Sequence, residues 1–447
     1  MKKLFLFIVG LAMSVVVSAQ NGKYTAVVEK GIEKDNAYYV EIFKDFHQHP
    51  ELGFMEKRTA GIVAKELKQY GYEVKTGIAK TGVVGILKNG KGPVVMYRAD
   101  MDANAVKETT NLPYKSTKQV VKEDGTQTYV MHACGHDAHT TWLLAAAKFM
   151  AENKKLWKGT LVMVAQPAEE LIEGAEAMVQ DGMYTKHNVP KPDYLFGMHT
   201  APFSVGMVAA ASGVRMAGTD QIDVTFYGIG GHGSSPQFTK DPVVMAAAAI
   251  NGYQSIVSRG IDPKNSAVIT VGSVQAGEDN NVIPGTALLK INLRWFSEDD
   301  RKLMIEGIKR INEGIAYSYN VDKDKYPTMV HKGWSYPLDN ASELTQVIRE
   351  GIKSNMKIDM MLTEELLPSV MGSEDFHHLV IHNEKKNYSY INVGIAQPER
   401  FMKSFKERKA PPFNNHNGDF EVDLAAIPFG SKVATHGLLA IFDRYKK

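Results

Sequence analysis

Between residues 26 and 47 apolar side chains recur at helical spacing, and a second helical pattern runs from about Glu56 to Tyr70, with "HPELGF" between them. The pattern then shortens to apolar runs that each lead into a polar segment. "GPVVMY" leads into "RADMDA", "GTLVMVAQP" into "AEE", and "PDYLFGM" into "HTAP". Between the first two lies "AHTTWLLAAAKFMAENKK", which has helical spacing and composition. Strands alternating with helices at these lengths predict an α/β fold with a mostly parallel central sheet and helices on both faces. In such sheets ligands bind beyond the carboxyl ends of the strands, which is where these polar groups begin.

Near residue 213 the order changes. "DQIDVTFYG" alternates, "DPVVMAAAAINGYQSIVSR" reads as a helix, and "SAVITVGSVQAG" and "GTALLKINLRWF" read as strands. A second helix over "EDDRKLMIEGIKRINEGIAYSYN" and a strand to about His331 complete a β-α-β-β-α-β order, that of a ferredoxin-like unit. From Trp334 the α/β pattern resumes, with a helix at 341–354 and the run "YSYINVGI". The chain therefore divides into a leader over 1–19, a first part of one domain over 20–212, an inserted domain over 213–330, and the rest of the first domain over 331–447. The charged segment "ERFMKSFKERKAPPFNNHNGDF" reads as a solvated loop.

The leader rests on Lys2 and Lys3, an apolar run from Leu4 to Val17, and small residues at Ser18 and Ala19. That order is the one of a secretory signal, and the run is short for a membrane span of ~20 residues. Export, periplasmic or extracellular, is the expectation. The chain carries 52 basic and 50 acidic residues, a balance that calls for neither nucleic acid nor an anionic membrane. It has one cysteine, so no intramolecular disulfide supports the fold.

That cysteine lies in "MHACGHDAHT", flanked by His132 and His136. Period-two spacing would point all three to one side of an extended segment, and thiolate with imidazole suits a cation such as Zn²⁺. A buried thiol beside a helix capped by Asp137, or a thiol nucleophile activated by histidine, fits the same ten residues. The other strand ends carry Asp100, the pair Glu169 and Glu170, and His199, while "NNHNGDF" supplies His416. Adjacent carboxylates suit two tasks at once, one binding metal and one moving a proton.

"RADMDA", "MHACGHDAHT", "QPAEE", "GMHT", "GGHGSSP", "NVIP", "MGSEDF" and the late histidine occur in this order over nearly the whole chain. Together they resemble the aminoacylase, hippurate hydrolase and auxin-conjugate hydrolase branch of the dinuclear metallo-carboxypeptidases. The resemblance implies an amidohydrolase acting on an N-acyl amino acid or small peptide, with two divalent ions, Zn²⁺ or Mn²⁺. It also implies a homodimer formed through the inserted domain, which acts as a lid. Cys134 would bridge the metals; His136 and His199 would complete one position, Glu170 and His416 the other. Glu169 would take a proton from the water between the metals and return it to the leaving amine. Asp100 would orient a ligand, His232 would steady the oxyanion, and Asn281 and Arg294 would hold the substrate carboxylate. His132 and His139 receive no role.

Three rivals remain open on the residues. Cys134 could act as a nucleophile with a neighbouring histidine as base, which leaves the glutamate pair unused. "GIGGHG" matches a dinucleotide fingerprint but opens no helix. A binding protein that keeps the fold without the chemistry would have no use for Glu169. "LIEGAEAM" after the glutamates, and Asn417 and Gly418 after the last histidine, depart from the branch's usual loops and bear on substrate choice.

Overall fold

The structure, a computed structural model, describes residues 22–122, 125–384, 386–407 and 411–446. The expected leader lies outside the described residues. Two compact units result. One comprises the described chain as far as Gly213, with Asp339–Pro368 and everything from Phe376 onward; the other comprises Val214–Leu338 and Ser369–Asp375.

The first unit opens with α1 (Thr25–Lys34), α2 (Asn36–Gln48) and α3 (Lys57–Gln69). The single helix expected over 26–47 is two, separated at Asp35. Strands β1 (Glu73–Ile78), β2 (Gly82–Asn89) and β3 (Val94–Asp100) follow, then α4 (His136–Glu152), β4 (Gly159–Gln166), α5 (Gly174–Gln180), β5 (Tyr194–Ser204) and β6 (Met207–Ala209). The second unit contributes β7 (Gly218–Tyr227), α6 (Pro242–Ser255), β8 (Val268–Gln275), β9 (Thr286–Trp295), α7 (Glu298–Ser318) and β10 (Thr328–Ser335). The first unit then resumes with α8 (Ser342–Asn355), β11 (Met360–Leu362), β12 (Tyr388–Ala396), α9 (Pro398–Lys406) and α10 (Ala426–Arg444). Helix α9 corrects the loop reading of that charged segment. Pro398 starts it, and Arg400 is anchored to Glu421 at 3.1 Å.

The eight strands of the first unit form one sheet in the order β1-β2-β4-β3-β5-β12-β6-β11. Its centre is parallel: β3 runs parallel to β4 and β5, and β5 to β12. Strands β3 and β4 are buried at nearly every position, as parallel strands covered on both faces are. Val95, Tyr97 and Ala99 face a core that includes Trp142 of α4 and Leu438 of α10. On the alternate positions Arg98 is buried beneath Phe376. Met96 is buried as well.

The second unit is a four-stranded antiparallel sheet in the order β8-β9-β7-β10, with α6 and α7 packed on it. This is the β-α-β-β-α-β unit that the periodicity predicts. Ile222, Phe226, Leu289 and Trp295 form its core with Met245 and Ile308 of the helices.

Candidate metal centre

The site grows from the carboxyl ends of β3, β4 and β5. Asp100 is the last residue of β3. Past β4, Ala168 takes a left-handed φ of 50° and turns the chain so that Glu169 and Glu170 sit in a single 3₁₀ turn. His199 does not end its strand as expected, because β5 continues to Ser204. Pairing with β3 stops at Gly197, so His199 projects beyond the end of β3 while β12 still supports it.

The segment through Cys134 is a turn, not the extended stretch that period-two spacing suggests. Gly135 has φ +84° and a Cβ there would stand 2.6 Å from Thr200, so only glycine lets the two segments approach so closely. His136 then opens α4. The cap residue of that helix is Gly135; Asp137 lies in the first turn, where its Oδ1 accepts from the Ala138 N–H at 2.8 Å and its Oδ2 from buried His47 at 2.7 Å. His132 is buried with neither ring nitrogen hydrogen-bonded among the described residues, and burial pushes it down to about 4. It belongs to none of the clusters that follow.

Several groups of ligand atoms lie within 4.8 Å of one another: Cys134 with His136 and His199, Cys134 with Glu170 and His416, His136 with Glu169 and Glu170, and His136 with Asp100 and His139. Cys134 is common to the first two. Its Sγ lies 3.4 Å from His199 Nε2 and accepts from Asn415 Nδ2 at 3.3 Å. Glu170 Oε2 lies 3.3 Å from His416 Nε2. Glu169 is buried, with Oε2 3.9 Å from His136 Nε2. The His416 side chain is 56% exposed against 0% for His136, so the cleft opens on the His416 side.

Burial and the Glu170 charge push the Cys134 thiol up, but His199 and His136 outweigh them and hold it at about 5. Burial disfavours charge on His199, yet the thiolate raises it to about 9. Hydrogen bonds to Cys134 and Glu170 raise His416 to about 10. Burial works against the Glu170 carboxylate, and His416 with His136 brings it down to about 2.

The residues fit a pair of divalent ions. Among the described residues neither ring nitrogen of buried His136 makes a well-aligned hydrogen bond, nor does Oε1 of Glu170. Buried polar atoms are rarely left so unless something else binds them. Thiolate, imidazole and carboxylate oxygen are the donor set of zinc and its neighbours.

Supporting residues absent from the motif reading also emerge. Asp102 accepts from the Glu170 N–H at 2.9 Å, and its Oδ1 faces His136 Nδ1 at 3.3 Å. Its place in "RADMDA" was the available signal. Glu56 accepts from the Ala168 N–H at 2.8 Å and from Thr81 at 2.6 Å, a role with no local signature. Asp100 is committed to Arg98 and His139, each at 2.6 Å, and stands 3.7 Å from His136.

In the second unit, His232 and Asn281 come together. Gly231–His232 pairs with Val282–Ile283, and the Gly233 N–H donates to the Asn281 carbonyl at 2.7 Å. The Ser234 N–H donates to His232 Nδ1 at 3.2 Å, which leaves the ring proton on exposed Nε2. Arg294 lies on β9, its guanidinium bonded to Asn292 at 2.8 Å and to Ser373.

The chain is similar to known proteins over most of its length. The model of peptidase family M20/M25/M40 matches residues 96–407. The hippurate hydrolase of Campylobacter jejuni is 45% identical over 286 residues, 64% of this chain and 71% of that protein. IAA-amino acid hydrolase ILR1-like 4 of Arabidopsis thaliana is 33% identical over 441 residues, 96% of this chain and 92% of its own. Among solved structures, a dinuclear metal binding peptidase of the M20 family from Bacillus subtilis superposes with a TM-score of 0.68 at 25% identity, over 92% of this chain and 99% of that one. With the family model spanning most of the chain and relatives matched nearly end to end, this protein belongs to peptidase family M20/M25/M40.

Proposed function

We propose that this protein is a metal-dependent amidohydrolase that cleaves the amide bond of an N-acyl amino acid or dipeptide, and that Glu169 is its proton carrier. The observation that carries the reading is Cys134, shared by two ligand clusters, with the buried carboxylate of Glu169 beside His136. Cys134, His136 and His199 would hold one divalent ion, and Cys134, Glu170 and His416 the other, as zinc or manganese. When bound, such ions polarise a carbonyl and bring the pKa of water to about 7.

The chain's own residues supply the rest. Glu169 takes a proton from the attacking water at a carboxylate oxygen and returns it to the amide nitrogen as the bond breaks. Within the second unit, His232 carries the ring proton on Nε2 that an oxyanion would take. Losing a donor of this kind typically costs ~10²–10³ in rate. Asn281 and Arg294 of the same unit are the groups proposed for a substrate carboxylate. Hydrolysis of hippurate and a panel of N-acyl amino acids and dipeptides by the metal-loaded protein tests the reading, and the absence of turnover on all of them contradicts it.

A second reading, a cysteine nucleophile, draws support from the Cys134 thiol held at about 5 beside His199. It gives no task to Glu169, Glu170 or His416.

Export and dimerisation complete the proposal. Lys2, Lys3 and the apolar run to Val17 support a cleaved leader, which mass analysis would find as an N-terminus at Gln20. No helix among the described residues is long and apolar enough to cross a membrane. Strand β8 lies at an edge of its sheet, with Val268 and Val274 exposed, and α6 exposes Val243 and Val244. These surfaces suit a second copy of the inserted domain, and light scattering would read the dimer mass.

A further inference from the structure

His139 and Thr200 lie outside the two clusters that share Cys134, yet they tie the parts of the centre together. His139 Nδ1–H donates to Asp100 Oδ1 at 2.6 Å, and Asp100 is itself fixed by Arg98 through its other oxygen at 2.6 Å. With the ring proton on Nδ1, Nε2 can only accept, and it accepts from the Thr200 N–H at 2.8 Å. Thr200 spends its remaining polar groups on the centre. Its Oγ1 donates to the Cys134 carbonyl at 2.7 Å, and its carbonyl accepts from His199 Nδ1–H at 2.6 Å. That last bond places the His199 lone pair on Nε2, the atom turned toward Cys134 Sγ at 3.4 Å.

We propose that His139 is a positioning residue that, through the Thr200 backbone, selectively sets the affinity of the metal position built from His136 and His199. The inference rests on the dinuclear reading above. Its selectivity follows from where the bonds go. Glu170 is placed instead by Asp102, through its N–H at 2.9 Å. His416 is placed by its own N–H to the Ala133 carbonyl at 2.8 Å. Neither bond involves His139. The Thr200 hydroxyl, by contrast, holds Cys134, which both positions share. Groups that orient a metal-bound imidazole typically contribute 10–100-fold in metal affinity.

The test is titration of the metal-free mature protein with Zn²⁺ against a competing chelator, for the unaltered chain, Thr200→Val, His139→Leu and His139→Gln. The unaltered chain should take up two equivalents. His139→Leu should weaken one equivalent by roughly tenfold or more while the other is unchanged. His139→Gln, whose carbonyl can still accept from Thr200, should recover part of the loss. Thr200→Val keeps the side-chain shape and loses the hydroxyl that holds the shared Cys134, and it should weaken both equivalents. In a His199→Ala background His139→Leu should add nothing, which identifies the affected position. Should both equivalents bind His139→Leu as tightly as the unaltered chain, or weaken together, the inference is overturned while the dinuclear reading stands. An unaltered chain that takes up fewer than two equivalents overturns both.

Discussion

Glu170 Oε2 stands 3.3 Å from His416 Nε2, joining the turn after β4 to a loop near the end of the chain. Without metal this is an ion pair, with His416 raised to about 10 and Glu170 brought down to about 2. His199, raised to about 9 beside the thiolate, is likewise charged at neutral pH.

Metal must therefore displace protons from His416, His199 and His136, which despite its burial the Asp100 charge also holds well above its ordinary value, since a ligating imidazole is neutral. Loading both positions at pH 7 should release on the order of three protons per chain, and affinity should climb as pH rises toward 9 and 10. Calorimetry in buffers of different ionisation enthalpy measures the number. Binding without proton release would show that these histidines are not ligands.

The paired glutamates should separate cleanly. Glu169→Gln should lower kcat by roughly 10²–10⁴ and leave metal content unchanged, as expected for a proton carrier. Glu170→Gln should lose one equivalent of metal. The reverse pattern in metal analysis would exchange the two roles.

Much of this was legible from local pattern. The switch from alternating α/β periodicity to β-α-β-β-α-β marks the inserted unit because each period reflects which face is buried. Cys134, His136, Glu169, Glu170, His199 and His416 stood out because their side-chain types in short motifs suit few other tasks, and the fold brings them together. Helix α9 was hidden by its charge: Phe401 and Phe405 lie on one side of a segment dominated by Lys, Arg and Glu. The role of Thr200 depends on Cys134 and His139, and that of Glu56 on Thr81 and Ala168. Contacts so distant along the chain leave no periodic trace.

Glu56 gives the supporting prediction. It accepts from the N–H groups of Phe54 and Ala168 at 3.0 and 2.8 Å. Glu56→Ala strands donors in a buried turn, at about 1–3 kcal/mol each. Thermal melts should show a loss of stability, and turnover should fall because Ala168 directly precedes Glu169. An unchanged melting temperature and rate would remove Glu56 from the account.

Stability should also depend on pH through His47. Burial disfavours its charge, but Asp137 at 2.7 Å and Glu108 at 3.2 Å outweigh burial and raise it from 6.5 to about 9. A raised histidine stabilises the fold in its charged form. The contribution, about 3 kcal/mol, is complete below 6.5 and lost as pH rises through 9. Denaturant unfolding of the metal-free protein across that range should show this decline, and His47→Gln should flatten it. Equal slopes for both proteins would contradict the assignment.

The central claim is that two metals held around Cys134 are required for amide hydrolysis. Metal analysis and turnover of an N-acyl amino acid from the panel, measured on one preparation before chelation, after chelation and after resupply of Zn²⁺ or Mn²⁺, test it most directly. The account predicts two equivalents and activity at the start, neither after chelation, and both on resupply. Activity that survives complete removal of metal and disappears on alkylation of Cys134 would contradict it.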